Sequence, residues 1–179
     1  MDIYLKLIPL LIKRIFTFKK SQMTDITITR FRVYPFDLDI NFHMNNGRFF
    51  TTMDIGRFDM LLCTGFFFKV FKSGFYPVVL SESMVFRRSL NLFNSYELHT
   101  KVESWDKNFF YISQKFYLKN EIVASANVRA CFKKRGRKGL VPVQELFEFM
   151  GEKHDANQMS EVARRQIELD EAIMPRPKK

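Results

Sequence analysis

The run Asp37-Leu-Asp-Ile-Asn-Phe-His-Met-Asn-Asn-Gly-Arg48 holds two carboxylates, one imidazole and three carboxamides within twelve residues. Carboxylates and imidazoles exchange protons, and carboxamides orient water or a polar ligand. Segments rich in apolar residues flank the run, Ile26 to Phe36 before it and Phe49 to Phe68 after it. A loop joining two buried elements can hold such groups rigidly, as a site requires. Plain structural roles stay open beside the chemical ones. Asp37, Asp39 and Asn45 are turn and cap types, and His43 can be a hydrogen-bonded structural histidine.

The elements that must position this loop read clearly. Asp25 to Tyr34 alternates Ile26, Ile28, Phe31 and Val33 against Thr27, Thr29, Arg30 and Arg32, with a slip near Arg30. That pattern predicts a strand, which Pro35 ends. Phe49 to Thr64 predicts a helix, with Phe50, Met53, Phe58, Leu61 and Leu62 at helical spacing. Asn45 or Asn46 is its N-cap, Gly65 its stop, and Gly74 lies in the turn beyond. Strand patterns follow over Pro77–Arg88, Ser95–Trp105, Phe109–Leu118 and Ile122–Lys133. Their short polar connections imply antiparallel hairpins. Val143–Met150 and Ser160–Ile173 predict two further helices. The order gives an α+β fold, an antiparallel sheet wrapped round one helix. Uncovered sheet edges and abundant aromatics predict self-association.

The chain has 179 residues, which suits one domain with a core that needs no staples. Aromatics make up 16% of it, and runs such as Phe66–Phe68 and Phe109–Tyr111 fit either a Phe-rich core or a pocket for an apolar ligand. Cys63 and Cys131 stand alone in apolar segments, with no Cys/His spacing for a metal. Buried, reduced thiols and the lack of an Asn-x-Ser/Thr sequon fit a cytoplasmic protein. Of the net charge of +10, residues 1–20 carry +4, Lys133–Lys138 carry +5 and Arg176, Lys178 and Lys179 carry +3, so the remainder is slightly acidic. A nucleic-acid groove needs one contiguous basic face, so the pattern argues against nucleic acid as a partner, a reading that rests on net charge alone. Local contact with anionic lipid or with ligand phosphates suits the pattern better.

Residues 1–24 form a separate basic segment. On a helical wheel Asp2, Lys6, Lys13, Thr17 and Lys20 share a sector, with Arg14 near its edge, while Ile3, Leu5, Leu7, Ile8, Leu11, Ile12, Ile15 and Phe18 lie mainly elsewhere. Pro9 kinks such a helix or delays its start. Leu7 to Ile12 is too short to span a bilayer. Peripheral membrane contact through residues 1–20, packing on the chain's own domain, and a processed leader stay open.

The order strand, Asp-x-Asp-x-x-x-His-x-Asn-Asn-x-Arg-aromatic, then a helix with an acid and an arginine resembles the hotdog-fold acyl-CoA thioesterases of the 4-hydroxybenzoyl-CoA thioesterase superfamily. Asp37, Asp39, His43, Asn45, Asn46, Arg48, Phe49, Asp54 and Arg57 carry the match. Trp105–Ile112, Phe86–Leu90 and Val141–Leu146 are similar to the branch of thioesterase superfamily member six-like proteins. The resemblance covers residues 25–150, and 151–179 form a polar helix and basic tail outside it. Phe42 replaces the glycine that many members carry before the loop histidine, and Asp54 stands where relatives often have Glu.

The resemblance implies a hotdog domain, paired as a homodimer or tetramer, hydrolysing the thioester of a fatty or aromatic acyl-CoA. A non-catalytic acyl-ligand binder or membrane-associated hotdog protein is the alternative. Coenzyme A enters as part of the substrate, with no cofactor and no metal. Asp39 is implied as base or nucleophile, with His43 and Asn45 orienting it or a water. Backbone N–H groups near Asn46 and Gly47 would receive the thioester carbonyl at the positive end of the helix. Arg48, Asp54, Arg57 and Arg88 complete the binding residues. The Lys133–Lys138 patch is either a contact for the CoA phosphates or a solvated loop.

Overall fold

The computed structural model describes residues 8, 10, 12, 14, 21–152, 154 and 159–175, apart from the side chain of Phe71. The expectations for Lys6, Pro9, Lys13, Thr17 and Lys20, and for the last basic residues, lie outside the described residues.

Five strands form one antiparallel sheet in the order β1-β3-β4-β5-β2. They are β1 Thr27–Arg32, β2 Phe75–Phe86, β3 Ser95–Trp105, β4 Phe110–Leu118 and β5 Glu121–Lys134. Helix α1, Asn46–Cys63, lies on the concave face; α2 is Phe66–Lys72, α3 Val143–Met150 and α4 Glu161–Ile173. This is the hotdog architecture. The alternation along β3 and β4 sends Tyr96, Leu98, Val102, Phe110, Ile112 and Phe116 inward against Phe49, Met53 and Met60 of α1.

Helix α1 begins three residues earlier than the apolar spacing suggests. The Asn45 side chain accepts the Gly47 N–H at 2.8 Å and starts the helix there. Close approach to the sheet is set at Gly56: a Cβ there would stand 2.6 Å from Leu98 Cδ2 and 2.9 Å from Thr100 Oγ1. Only a residue without a side chain fits. Gly65 takes a left-handed φ of 69° and separates α1 from α2, which the sequence pattern did not reveal. Buried residues occur all round α1, so it does not show one apolar stripe.

The polar groups buried on α1 are partnered. Asp59, fully buried, takes a two-pronged contact from Arg14, Nε to Oδ1 at 2.5 Å and Nη2 to Oδ2 at 2.7 Å. The Thr29 hydroxyl donates to the same carboxylate at 2.6 Å. These hydrogen bonds raise the Arg14 pKa, while burial and then the Asp59 charge push up the Cys63 thiol. Arg14 therefore packs on the domain, whereas Ile8 and Ile12 stay about half exposed at 53% and 52%. On the convex face, α4 covers part of the sheet: Gln166 and Asp170 bond Ser83 and Ser81, and Asp170 pairs with Arg129 at 3.1 Å. Among the described residues, no helix is long and apolar enough to cross a membrane.

Candidate functional site

The loop between β1 and α1 is built on its two aspartates. Asp37 is buried; its carboxylate accepts the Tyr34 N–H at 3.0 Å, and its carbonyl accepts the Asn45 N–H at 2.8 Å. Asp37 thus shapes the loop from beneath. Arg48 braces the same turn, with Nη2 donating to the Phe36 carbonyl at 3.0 Å and Nε 3.9 Å from the Asp37 carboxylate.

Asp39 closes the tip. Its Oδ1 accepts the Asn41 N–H at 2.8 Å and the His43 N–H at 3.3 Å. Its own N–H donates to the His43 carbonyl at 2.8 Å. To close so tightly the chain takes φ 58° at Phe42, a left-handed conformation that favours glycine. The tip leaves Ile40 and Phe42 in solvent, at 94% and 77% exposure.

Asp39, His43, Asn46, Arg87 and Arg88 surround one open cavity of about 240 Å3, floored by Met44, Phe49 and Phe86. Asn46 is the first residue of α1, where helix geometry leaves an N–H without an intrahelical carbonyl. The N–H of Gly47 is already spent on Asn45. Arg88 pairs with Glu121 on the neighbouring strand. Arg87 is exposed and makes no ion pair with the described residues, so it is the freer cation at this rim. The signal available in the sequence was that consecutive residues just past a strand end, here Arg87 and Arg88 after Phe86, can both reach one cavity because the strand's alternation has stopped.

Asp54 and Arg57 lie elsewhere. They pair with each other, as their three-residue spacing suggests, about 12 Å along the helix from Asn46. Arg57 also donates to Glu82 at 2.7 Å and to Gln114 Oε1 at 2.8 Å. Gln114 in turn donates to the Met53 carbonyl and to Thr100, both at 3.0 Å. Glu82 and Gln114 come from β2 and β4, so nothing in the local pattern marks them. Beside this network lies a second, apolar cavity of about 170 Å3 between α1 and the sheet, walled by Phe58, Leu61, Val79, Val102, Phe110 and Phe132. The nine residues singled out in sequence therefore divide. Asp39, His43, Asn46 and Arg88 meet at the first cavity, Asn45, Gly47 and Arg48 build the loop and helix start behind it, and Asp54 and Arg57 edge the second. Among the described residues no group of three or more His, Cys, Asp or Glu is placed to hold a metal.

A hotdog sheet with an acidic loop at the start of its central helix defines a thioesterase-type scaffold. The sequence model of the Thioesterase-like superfamily matches residues 33–166, and the chain belongs to that family. It is 36% identical over 94 residues to Protein THEM6 of Xenopus laevis, covering 52% of this chain and 45% of that protein. It is 27% identical over 120 residues to the probable thioesterase YBR096W of Saccharomyces cerevisiae, covering 65% of this chain and 51% of that one. The chain thus spans about half the length of the curated relatives it matches. Among solved structures, the YbaW probable thioesterase of Escherichia coli superposes with a TM-score of 0.64 at 21% identity, over 69% of this chain and 95% of that one.

Proposed function

We propose that the chain hydrolyses the thioester of a fatty or aromatic acyl-CoA at the cavity formed by Asp39, His43, Asn46, Arg87 and Arg88. The observation that carries this reading is the split use of the Asp39 carboxylate. Oδ1 is fixed by two loop N–H groups, whereas Oδ2 takes no hydrogen bond from the described residues. A carboxylate oriented through one oxygen presents the other to a water or to the acyl carbon. The Asn46 N–H, at the positive end of α1, is the donor for the oxyanion that forms on attack. His43 borders the same space and orients the water, and Arg87 and Arg88 supply positive charge for the leaving thiol's phosphate-bearing arm. The acyl group has an apolar destination in the 170 Å3 cavity farther along α1. Water, a carboxylate and an N–H donor complete the reaction, so coenzyme A is needed only as part of the substrate.

The site opens beside β2, which supports a homodimer. This edge strand is twelve residues long, carries no Lys or Arg, and leaves Val79, Leu80 and Val85 exposed. The opposite edge, β1, is six residues long and carries Arg30 and Arg32, which blunt it. Ile8 and Ile12, one helical turn apart and exposed above the Arg14–Asp59 contact, support peripheral membrane contact.

Free-thiol release from acyl-CoAs of graded chain length and with aromatic acyl groups tests the enzymatic reading, wild type beside Asp39→Asn. Turnover that disappears in the variant is the expected result. A second reading, binding without turnover, is favoured by the apolar loop tip at Ile40 and Phe42. It would gain if a folded wild type bound acyl-CoA and released no thiol.

A further inference from the structure

Three cations at the end of β5 and in the loop after it are unengaged among the described residues. Lys133, Arg135 and Lys138 are exposed and form no ion pair with the described residues. Their neighbours are engaged, Arg137 with Glu145 at 2.8 Å and Lys134 over the Phe75 ring at 4.7 Å. Within one chain these cations cannot serve the candidate site. Arg135 N–H bonds the Gly74 carbonyl at 2.8 Å and Lys134 pairs with Phe75, so the loop sits at the start of β2. The cavity with Asp39 sits at the other end of that strand, beside Phe86. Eleven residue steps of strand separate the two ends, about 36 Å, which is farther than the pantetheine arm carries the nucleotide.

A second copy removes that distance. Antiparallel pairing of two β2 edges about a two-fold axis at the middle of the strand, between Leu80 and Ser81, sets Phe86 of one copy opposite Phe75 of the other. The basic loop of the second copy, which follows β5 on the far side of that copy's β2, then stands about two strand spacings, roughly 10 Å, from the end of β2 that borders the cavity. We propose that each site is completed in trans: Lys133, Arg135 and Lys138 of one subunit bind the phosphates of the coenzyme A whose thioester lies at Asp39 of the other. The inference rests on the acyl-CoA reading and on β2 as the dimer edge. It adds the residues that select a phosphorylated carrier over a bare thioester.

The test is calorimetric titration with coenzyme A itself, which needs no turnover. The triple variant K133Q/R135Q/K138Q should bind coenzyme A roughly tenfold more weakly, as expected for losing three exposed charge contacts, and should bind pantetheine as the wild type does. A heterodimer, isolated with two affinity tags, separates cis from trans. One chain carries K133Q/R135Q/K138Q with its cavity intact. The other carries Asn46→Trp, which fills its cavity, with its basic loop intact. Action in trans leaves one wild-type-strength site per dimer. Only weak binding in this heterodimer would overturn the proposal, as would unchanged affinity in the triple variant or a wild type that binds no coenzyme A. A wild type that binds tightly through this loop but releases no thiol would instead defeat the hydrolase reading and leave the phosphate site standing.

Discussion

In the proposed hydrolysis Asp39 has two tasks, one for each carboxylate oxygen, and a single substitution separates them. Asparagine keeps an oxygen that can accept the Asn41 and His43 N–H groups, so the loop keeps its shape. The negative charge that the proposed mechanism uses to activate water is lost. Asp39→Asn is expected to lower kcat/KM by about 10²- to 10⁴-fold with an unchanged melting temperature. Thiol release and thermal melting of the same preparation check both halves, and a variant of full activity would move the base to another residue. Phe42, three positions on, exposes most of its ring yet sits in left-handed backbone. Phe42→Gly should therefore stabilise the fold by about 0.5–1 kcal/mol, the relief of the left-handed penalty exceeding the entropy glycine loses. Chemical denaturation measures it, and a loss of stability would mean that the ring packs on something in solution.

At the scale of elements, the contact between α1 and the sheet turns on Gly56. A methyl group there meets Leu98, Thr100 and Gln114, and Gln114 cannot retreat without releasing Arg57 and the Met53 carbonyl. Gly56→Ala should cost about 1–3 kcal/mol by overpacking, read as a lower denaturation midpoint, despite alanine's better helix propensity. A neutral result would show that the helix can lift from the sheet. Most elements were legible because their burial is one-sided. Strict alternation marks β3 over the same residues in sequence and structure, and α3 likewise spans Val143–Met150. Helix α2 was not legible, since Phe66-Phe-Phe-Lys-Val-Phe-Lys72 mixes aromatic and branched residues over barely two turns. The acidic loop and its cavity partners Asp39, His43, Asn46 and Arg88 could be read from neighbouring residues. The roles of Asp59, Glu82 and Gln114 could not, because each is defined by a partner distant in the chain: Arg14 for Asp59, and Arg57 for Glu82 and Gln114.

At the scale of the molecule, two contacts decide what the chain needs to be whole. One is internal. Arg14 neutralises a carboxylate that has no exposure, so Arg14→Met leaves a buried charge whose remaining partners among the described residues are Thr29 and Cys63. A loss of about 3–5 kcal/mol is expected in chemical denaturation, with much of it recovered in Arg14→Met/Asp59→Leu, where no charge is buried. If both single and double variants matched wild type, the segment would not be seated on α1 in solution. The other is the proposed contact between copies. Leu80 bulges from β2 near the middle of the strand, where the pairing axis is placed, and Val85 lies toward the end that borders the cavity. Leu80→Lys sets ammonium groups of the two copies close together across the axis, and with Val85→Lys it gives β2 the edge charges that β1 already has. The variant should sediment as a folded monomer at micromolar concentration. If each site is completed by the other subunit's basic loop, its KM for acyl-CoA should rise as in K133Q/R135Q/K138Q, because separation removes the same three cations from every site. A monomer with wild-type KM would keep β2 as the interface and remove the phosphate contact from it. A persistent dimer would place the subunit contact on another face of the sheet.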